Sequence, residues 1–366
     1  MKTNAAVLYK PNTPLRVETI DLQPPRAGEI LVKIAASGVC HSDWHVISGA
    51  THYPTPTVLG HEGSGIVQEI GEGVSRIREG DLVVFNWSPS CGSCFYCLND
   101  RPNLCPTYLE SLWAGHLLDG STRLSKNRKP IYHLSGISCN AQYAVIPEIC
   151  CVPLPKKIPF EVAALIGCAV TTGIGAAIYT AKIKPGTTVA VFGAGGVGLC
   201  IIMGAQLAGA GKVIAVDKTQ GKLKLAREFG ANHELISGAN TNNAIRSLTS
   251  GRGADYVFDA VGMPSLQEEC LDAVRPGGSL VLAGLAPMDS NTRFPSAVLT
   301  RQEKTIVGSY YGSANVHRDF PLFADLYLHG KLDLDRLITK TYSLEEINQA
   351  YNDMIDGKLA RGLIVF

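Results

Sequence analysis

The sequence has almost no excess charge of either sign: 33 Lys and Arg stand against 32 Asp and Glu, a net charge of +1. Nothing in that balance attracts a polyanion, so nucleic acid is not an expected partner. Charged residues are also sparse, at 18% against 46% apolar. That composition excludes a disordered chain and fits a compact one long enough for two domains. The opening residues, Met1-Lys2-Thr3-Asn4, lack the apolar core of an export signal. We expect a cytoplasmic protein.

Charge is missing altogether from two stretches, 163–181 and 189–211, each as long as a membrane span. The second is studded with glycines at turn and helix-start positions. The first contains Thr171, Thr172, Gly173 and Gly175, which read as breaks. Both suit the buried interior of an α/β sheet, and no membrane partner is expected.

Cysteine is not scarce. Eleven in a chain without an export signal argue for metal ligation over disulfides. Cys91, Cys94, Cys97 and Cys105 come from one loop at spacings of three, three and eight. Four thiolates so placed can close around a zinc ion, leaving no position for substrate, so the site would be structural. The rival reading, a nucleic-acid zinc finger, lacks a following basic helix. Cys40 and His61 lie on connections between strands, and Cys168 at the mouth of a helix. Sulfur and imidazole suit catalytic zinc with an open fourth position, although a Cys and a His so far apart can equally be structural. The other five cysteines, Cys139, Cys150, Cys151, Cys200 and Cys270, sit in apolar surroundings and read as buried thiols.

Residues 1 to about 90 read as short strands separated by Gly and Pro turns, a small irregular barrel. Residues 106–129 read as a polar loop region. After Lys184-Pro185-Gly186, strands at 188–192, 213–217, 256–259, 279–283 and 305–308 alternate with helices. That alternation means a parallel doubly wound sheet. Gly193-x-Gly195-Gly196-x-Gly198 falls between the first of these strands and a helix. Gly193 permits the tight turn, Gly195 the approach of a pyrophosphate, and Gly198 the packing of helix on strand. Asp217 ends the next strand, where it can bind an adenosine ribose and repel a 2′-phosphate, favouring NAD over NADP. Lys222 offers a second ribose contact or is simply an exposed helix lysine. Helices at 320–329 and 344–355, the second with a Ser343/Glu346 capping box, lead to a terminal strand at 360–366. The expected domains are 1–169 with 311–366, mainly β and barrel-like with a zinc lobe, and the Rossmann domain 170–310.

These motifs, in this order and over nearly the whole chain, resemble the zinc-containing medium-chain alcohol dehydrogenases. The segment 117–136 is similar to that of the larger, typically dimeric members, which implies a homodimer. The resemblance implies two zinc ions and NAD: Cys40, His61 and Cys168 hold the catalytic zinc, and the four-cysteine lobe the structural one. It implies that Glu62 lies near the catalytic metal, and that Asp43 hydrogen-bonds His61. Ser42 would take the alcohol proton and pass it through cofactor hydroxyls to His45. His41 and Arg361 would meet the pyrophosphate, Thr172, Gly196 and Val197 would border the cofactor, and Trp87 would line the substrate pocket. The implied reaction is reversible hydride transfer between a primary or secondary alcohol, aliphatic or benzylic, and NAD, giving aldehyde or ketone. A subgroup oxidises S-hydroxymethylglutathione; Tyr108 stands where such members tend to carry an arginine. A reading from another class is a non-catalytic NAD-sensing zinc protein.

Overall fold

The computed structural model describes all of residues 1–366 and divides the chain into two compact units, 1–168 with 315–366 and 169–314. The expected second domain ran from 170 to 310.

The first unit is built on two β structures. Strands Lys2–Leu8, Arg16–Leu22, Leu124–Lys126, Lys129–His133 and Thr57–Val58 close into a barrel. Two of these strands fall in or against the segment 106–129 that the sequence suggested was loop. They are only three and five residues long, and it is the barrel partners rather than local propensity that make them strands. The second is a seven-stranded sheet around the long strand Glu29–Val39, which pairs with Gly63–Ile70, Tyr143–Pro147 and the terminal strand Arg361–Val365. The C-terminal tail therefore belongs to the first unit, and the unit is discontinuous in sequence. Arg123 is fully buried here. Its guanidinium meets Glu29 at 2.6 and 2.8 Å and Asp119 at 2.6 Å, and its backbone N–H donates to His133 Nε2 at 3.2 Å. Paired in this way, the buried cation is not left uncompensated.

The second unit holds a six-stranded sheet, all of whose pairs are parallel. Its order is His233–Ile236, Lys212–Asp217, Thr188–Phe192, Ala254–Asp259, Val274–Leu282, Thr305–Gly308. Five of these were expected. His233–Ile236 was not, because its four residues are only half-buried or exposed and alternate weakly. Apolar side chains on one face, among them Phe192, Ile214, Val257 and Leu280, form one core cluster with the helices packed there. The first glycine turn lies at the carboxyl end of Thr188–Phe192, beside the point where strand order reverses, which is where such sheets bind nucleotides.

The uncharged stretch at 163–181 is one helical run, Phe160–Thr180, apolar enough for a membrane by composition and 83% buried inside the protein. Its threonines and glycines do not break it. Gly173 and Gly175 are close-approach positions instead: a Cβ at Gly173 would stand 2.4 Å from Cys200 Cβ, and one at Gly175 2.5 Å from the Gly312 carbonyl. Cys168 is thus not at the mouth of a helix. It lies inside this run, within a π-helical turn, Ile166–Val170. The wider turn shifts a side chain off the α-helical register, and such turns recur at functional sites.

Candidate metal and nucleotide sites

Two groups of ligand atoms have their members within 4.8 Å of one another: Cys91, Cys94, Cys97 and Cys105, and Cys40, His61, Glu62 and Cys168. Both lie wholly in the first unit.

In the lobe, Cys94 Sγ lies 3.5 Å from Cys97 Sγ and 3.7 Å from Cys105 Sγ. A tetrahedral zinc with bonds of about 2.3 Å needs sulfur separations of about 3.8 Å, so the donor set fits the ion. Backbone N–H groups of Cys91 and Cys94 point at Cys105 and Cys91 sulfurs, both at 3.3 Å. Hydrogen bonds from Thr107 and Ser93 hold Cys91 down to about 5, which favours the thiolate a metal requires. A short helix, Phe95–Leu98, completes the loop between Cys94 and Cys105.

The second group is assembled from three distant pieces of chain. Cys40 ends the strand Glu29–Val39 and caps the helix His41–Ile47. His61 follows Gly60, whose φ of +92° bends the chain into the strand Gly63–Ile70. Cys168 comes from the π-turn, and a Cβ on the preceding Gly167 would meet the Phe85 carbonyl at 2.9 Å. Cys40, His61 and Cys168 are 5%, 4% and 6% exposed. Asp43, fully buried, accepts from Gly60 N–H at 2.9 Å and meets His61 Nδ1 at 3.2 Å. That contact fixes the ring and leaves Nε2 buried without a hydrogen-bond partner, facing two sulfurs. Histidine held through one nitrogen and vacant at the other is the arrangement of a metal ligand. Without an ion, burial disfavours the imidazolium, but the charges of Asp43 and Cys40 outweigh it and raise His61 to about 10. Cys40 is drawn well below the thiol range by its hydrogen bond with Cys168, against burial and with help from Arg361 and His61. A dication held there would take the place of the His61 proton, leaving a neutral imidazole beside the two sulfurs as its donors.

Glu62, fully buried, forms an ion pair with Arg361, itself 5% exposed. Arg361, expected at a pyrophosphate, makes this contact in the structure. Ser42 is half-buried with its Oγ 3.7 Å from Cys40 Sγ. His45 lies on the same short helix; its buried Nδ1 has no hydrogen-bond partner, and burial pulls its pKa down, so it is neutral near pH 7 and can accept a proton. His41 is exposed. Trp87 stands edge-on to His61, ring centroids 6.3 Å apart, which sets an aromatic wall beside the metal ligands.

In the second unit, Gly193 has φ +96°, and a Cβ at Gly198 would fall 1.8 Å from its carbonyl oxygen. Both glycines are therefore required by the turn itself. A Cβ at Gly195 would meet nothing within 4 Å. Gly195 caps the helix Gly196–Leu207, whose free N–H groups can receive a phosphate; Gly196 is buried and Val197 half-buried in its first turn. Asp217 ends its strand with Oδ2 accepting from Ala194 N–H at 2.8 Å and Oδ1 from Thr219 N–H at 2.9 Å. Those bonds hold the carboxylate against the glycine turn. Lys222 is half-buried on the helix Gln220–Glu228, and Thr172 is 8% exposed in the long helical run.

Asn140, which no motif marks, is buried against Gly60, the residue before His61. The five remaining cysteines are buried and free, and burial raises each thiol.

Residues 26–156 match the alcohol dehydrogenase GroES-like domain, and residues 196–328 the zinc-binding dehydrogenase domain. Among curated relatives, an NDMA-dependent alcohol dehydrogenase from Amycolatopsis methanolica is 38% identical over 368 residues, spanning 100% of this chain and 99% of its own. An S-(hydroxymethyl)glutathione dehydrogenase from Escherichia coli is 38% identical over 371 residues, spanning all of both chains. Among solved structures, benzyl alcohol dehydrogenase from Acinetobacter calcoaceticus superposes with a TM-score of 0.94 at 31% identity, covering 100% of this chain and 99% of its own.

Proposed function

The chain belongs to the zinc-containing medium-chain alcohol dehydrogenases, an oxidoreductase family, and from that premise we propose that it transfers hydride reversibly between a primary or secondary alcohol, aliphatic or benzylic, and NAD. The observation that carries the proposal is the meeting of Cys40, His61 and Cys168 with His61 Nε2 unpartnered between them. A non-catalytic NAD-sensing protein would have no use for that convergence.

Zinc bound there lowers the pKa of an alcohol hydroxyl and polarises a carbonyl in the reverse direction. Two thiolates and an imidazole leave the ion with about zero net charge. Asp43 holds the His61 ring through Nδ1, which would leave Nε2 to ligate the ion. Ser42 Oγ, beside Cys40, would take the proton from the alcohol, and His45, on the same helix, would accept it on the way to solvent. Glu62, balanced by Arg361, is a reserve carboxylate near the ion. The glycine turn and the helix starting at Gly196 would bind the pyrophosphate. Asp217 binds the ribose, with Lys222 beside it, and disfavours a 2′-phosphate. Thr172 and Val197 border the nicotinamide, and Trp87 lines the alcohol pocket. We further propose two zinc ions per chain and a cytoplasmic homodimer, with neither nucleic acid nor membrane as partner.

A screen of aliphatic and benzylic alcohols with NAD, read at the NADH absorbance, tests this. Turnover with NAD well above that with NADP is expected; no turnover with any alcohol would overturn it. S-hydroxymethylglutathione belongs in the same screen, because the Escherichia coli relative is as similar as the NDMA-dependent one. Tyr108 in place of a basic residue weighs against it.

A further inference from the structure

The turn that presents His61 leans on the segment 139–140. Cys139 N–H donates to the Gly60 carbonyl and Asn140 N–H to the Leu59 carbonyl, both at 3.0 Å. The fit is close: a Cβ on Gly60 would lie 2.6 Å from Asn140 N and 2.7 Å from Asn140 Oδ1. The Asn140 carboxamide, 1% exposed, is used at both ends. Its Oδ1 accepts from Ser37 Oγ at 2.7 Å, and its Nδ2 donates to Tyr351 Oη at 3.3 Å. Ser37 is fully buried on the strand Glu29–Val39, which leads directly to Cys40, and Tyr351, 2% exposed, is on the C-terminal helix Ile347–Ile355. One residue thus joins the strand leading to Cys40 and the returning tail through its side chain, and the turn carrying His61 through its backbone N–H and close packing on Gly60.

We propose that Asn140 is a positioning residue for the catalytic metal, setting the separation of Cys40 and His61 through Ser37 and the Leu59–Gly60 turn. The inference rests on the metal site proposed above. An amide is suited to the task, since it offers acceptor and donor at opposite ends of one rigid plane. An apolar side chain of similar size would leave the Tyr351 hydroxyl buried and unpaired, and Ser37 Oγ with only the Cys139 sulfur at 3.1 Å. The ligands would then be free to drift apart, whereas the four-cysteine lobe shares none of these contacts.

The test compares wild type with Asn140→Leu, Asn140→Asp and Ser37→Ala, each as the full chain loaded with cobalt(II) at both sites. Metal loss to a chelator is followed by elemental analysis and by the thiolate–cobalt absorption. In Asn140→Leu, one metal is expected to leave about 10-fold faster, the scale typical of groups supporting a metal ligand, and the other at the wild-type rate. Asn140→Asp keeps the acceptor for Ser37 and should fall between. Ser37→Ala should accelerate loss of the same metal and decides the matter if Asn140→Leu does not fold. Unchanged release at both sites, or equal acceleration at both together with a lowered Tm, overturns the inference. A wild-type chain that takes up a single metal overturns the parent reading and this one with it; two metals in wild type with unaltered selective release overturns this one alone.

Discussion

Within the metal group, a ligand and a proton acceptor differ in what their removal leaves behind. Cys168→Ala deletes one of two sulfurs facing His61 Nε2. We predict loss of one bound metal and of alcohol turnover, with NAD binding retained because the glycine turn is untouched; normal turnover in that variant would rule out the ligand assignment. Ser42→Ala deletes a hydroxyl beside Cys40 without touching the ligand set. It should keep its metal and lower kcat by roughly 100-fold, the worth of a positioned proton acceptor. Metal content measured alongside kcat separates the two cases. Asp43 works at one remove, through His61 Nδ1. Its replacement by Asn is expected to weaken metal binding by about 10- to 100-fold, readable by competition with a chromophoric chelator.

At the scale of elements, the glycine turn shows that neighbouring glycines serve different ends. Gly198 is needed by the fold, since a Cβ there would overlap the Gly193 carbonyl at 1.8 Å. Gly195 has open space around a would-be Cβ and φ of −86°, which any residue adopts. Gly195→Ala should therefore leave stability within about 0.5 kcal/mol of wild type and still weaken NAD binding, because the methyl occupies the approach of the pyrophosphate. Calorimetry with and without NAD checks both halves, and a large drop in Tm without cofactor would contradict the assignment. The helical run Phe160–Thr180 teaches a related lesson. Its glycines look like breaks but are contact points, and the turn that carries Cys168 is wider than an α-turn. The capping box at Ser343 and Glu346, by contrast, forms as its spacing predicts, because the interaction closes within four residues.

For the whole molecule, stability should fall on the acid side for a reason lodged in the barrel. His133 is fully buried, and burial together with the Arg123 charge lowers it to about 3. In the unfolded chain its pKa is about 6.5. Between these values the unfolded state binds the proton and the folded state does not, so stability rises with pH across that window. The contribution is complete above about pH 6.5 and is lost as pH falls toward 3. His133→Gln should show a shallower acid limb in Tm against pH than wild type, and an unchanged slope would remove His133 from the account. Prolonged chelation should strip activity before it lowers Tm if the lobe holds its ion more tightly than the group at Cys40, as four closed thiolate positions suggest.

The sequence alone determined whatever depends on residues close together along the chain. The four-cysteine lobe, the glycine turn with its aspartate, the parallel strands and the end caps all report on contacts within a few residues or a single supersecondary unit, and spacing suffices to read them. Tertiary structure decided what depends on segments that meet only after the chain has closed on itself. Cys40, His61 and Cys168 are separated by whole strands and helices, so their approach follows from sheet pairing and a π-turn rather than from any local pattern. The pairing of Arg361 with Glu62 and the seat of Asn140 between Ser37 and Gly60 have the same origin. A buried side chain shows its neighbours only in the folded protein, where burial obliges each polar atom to find a partner or a ligand.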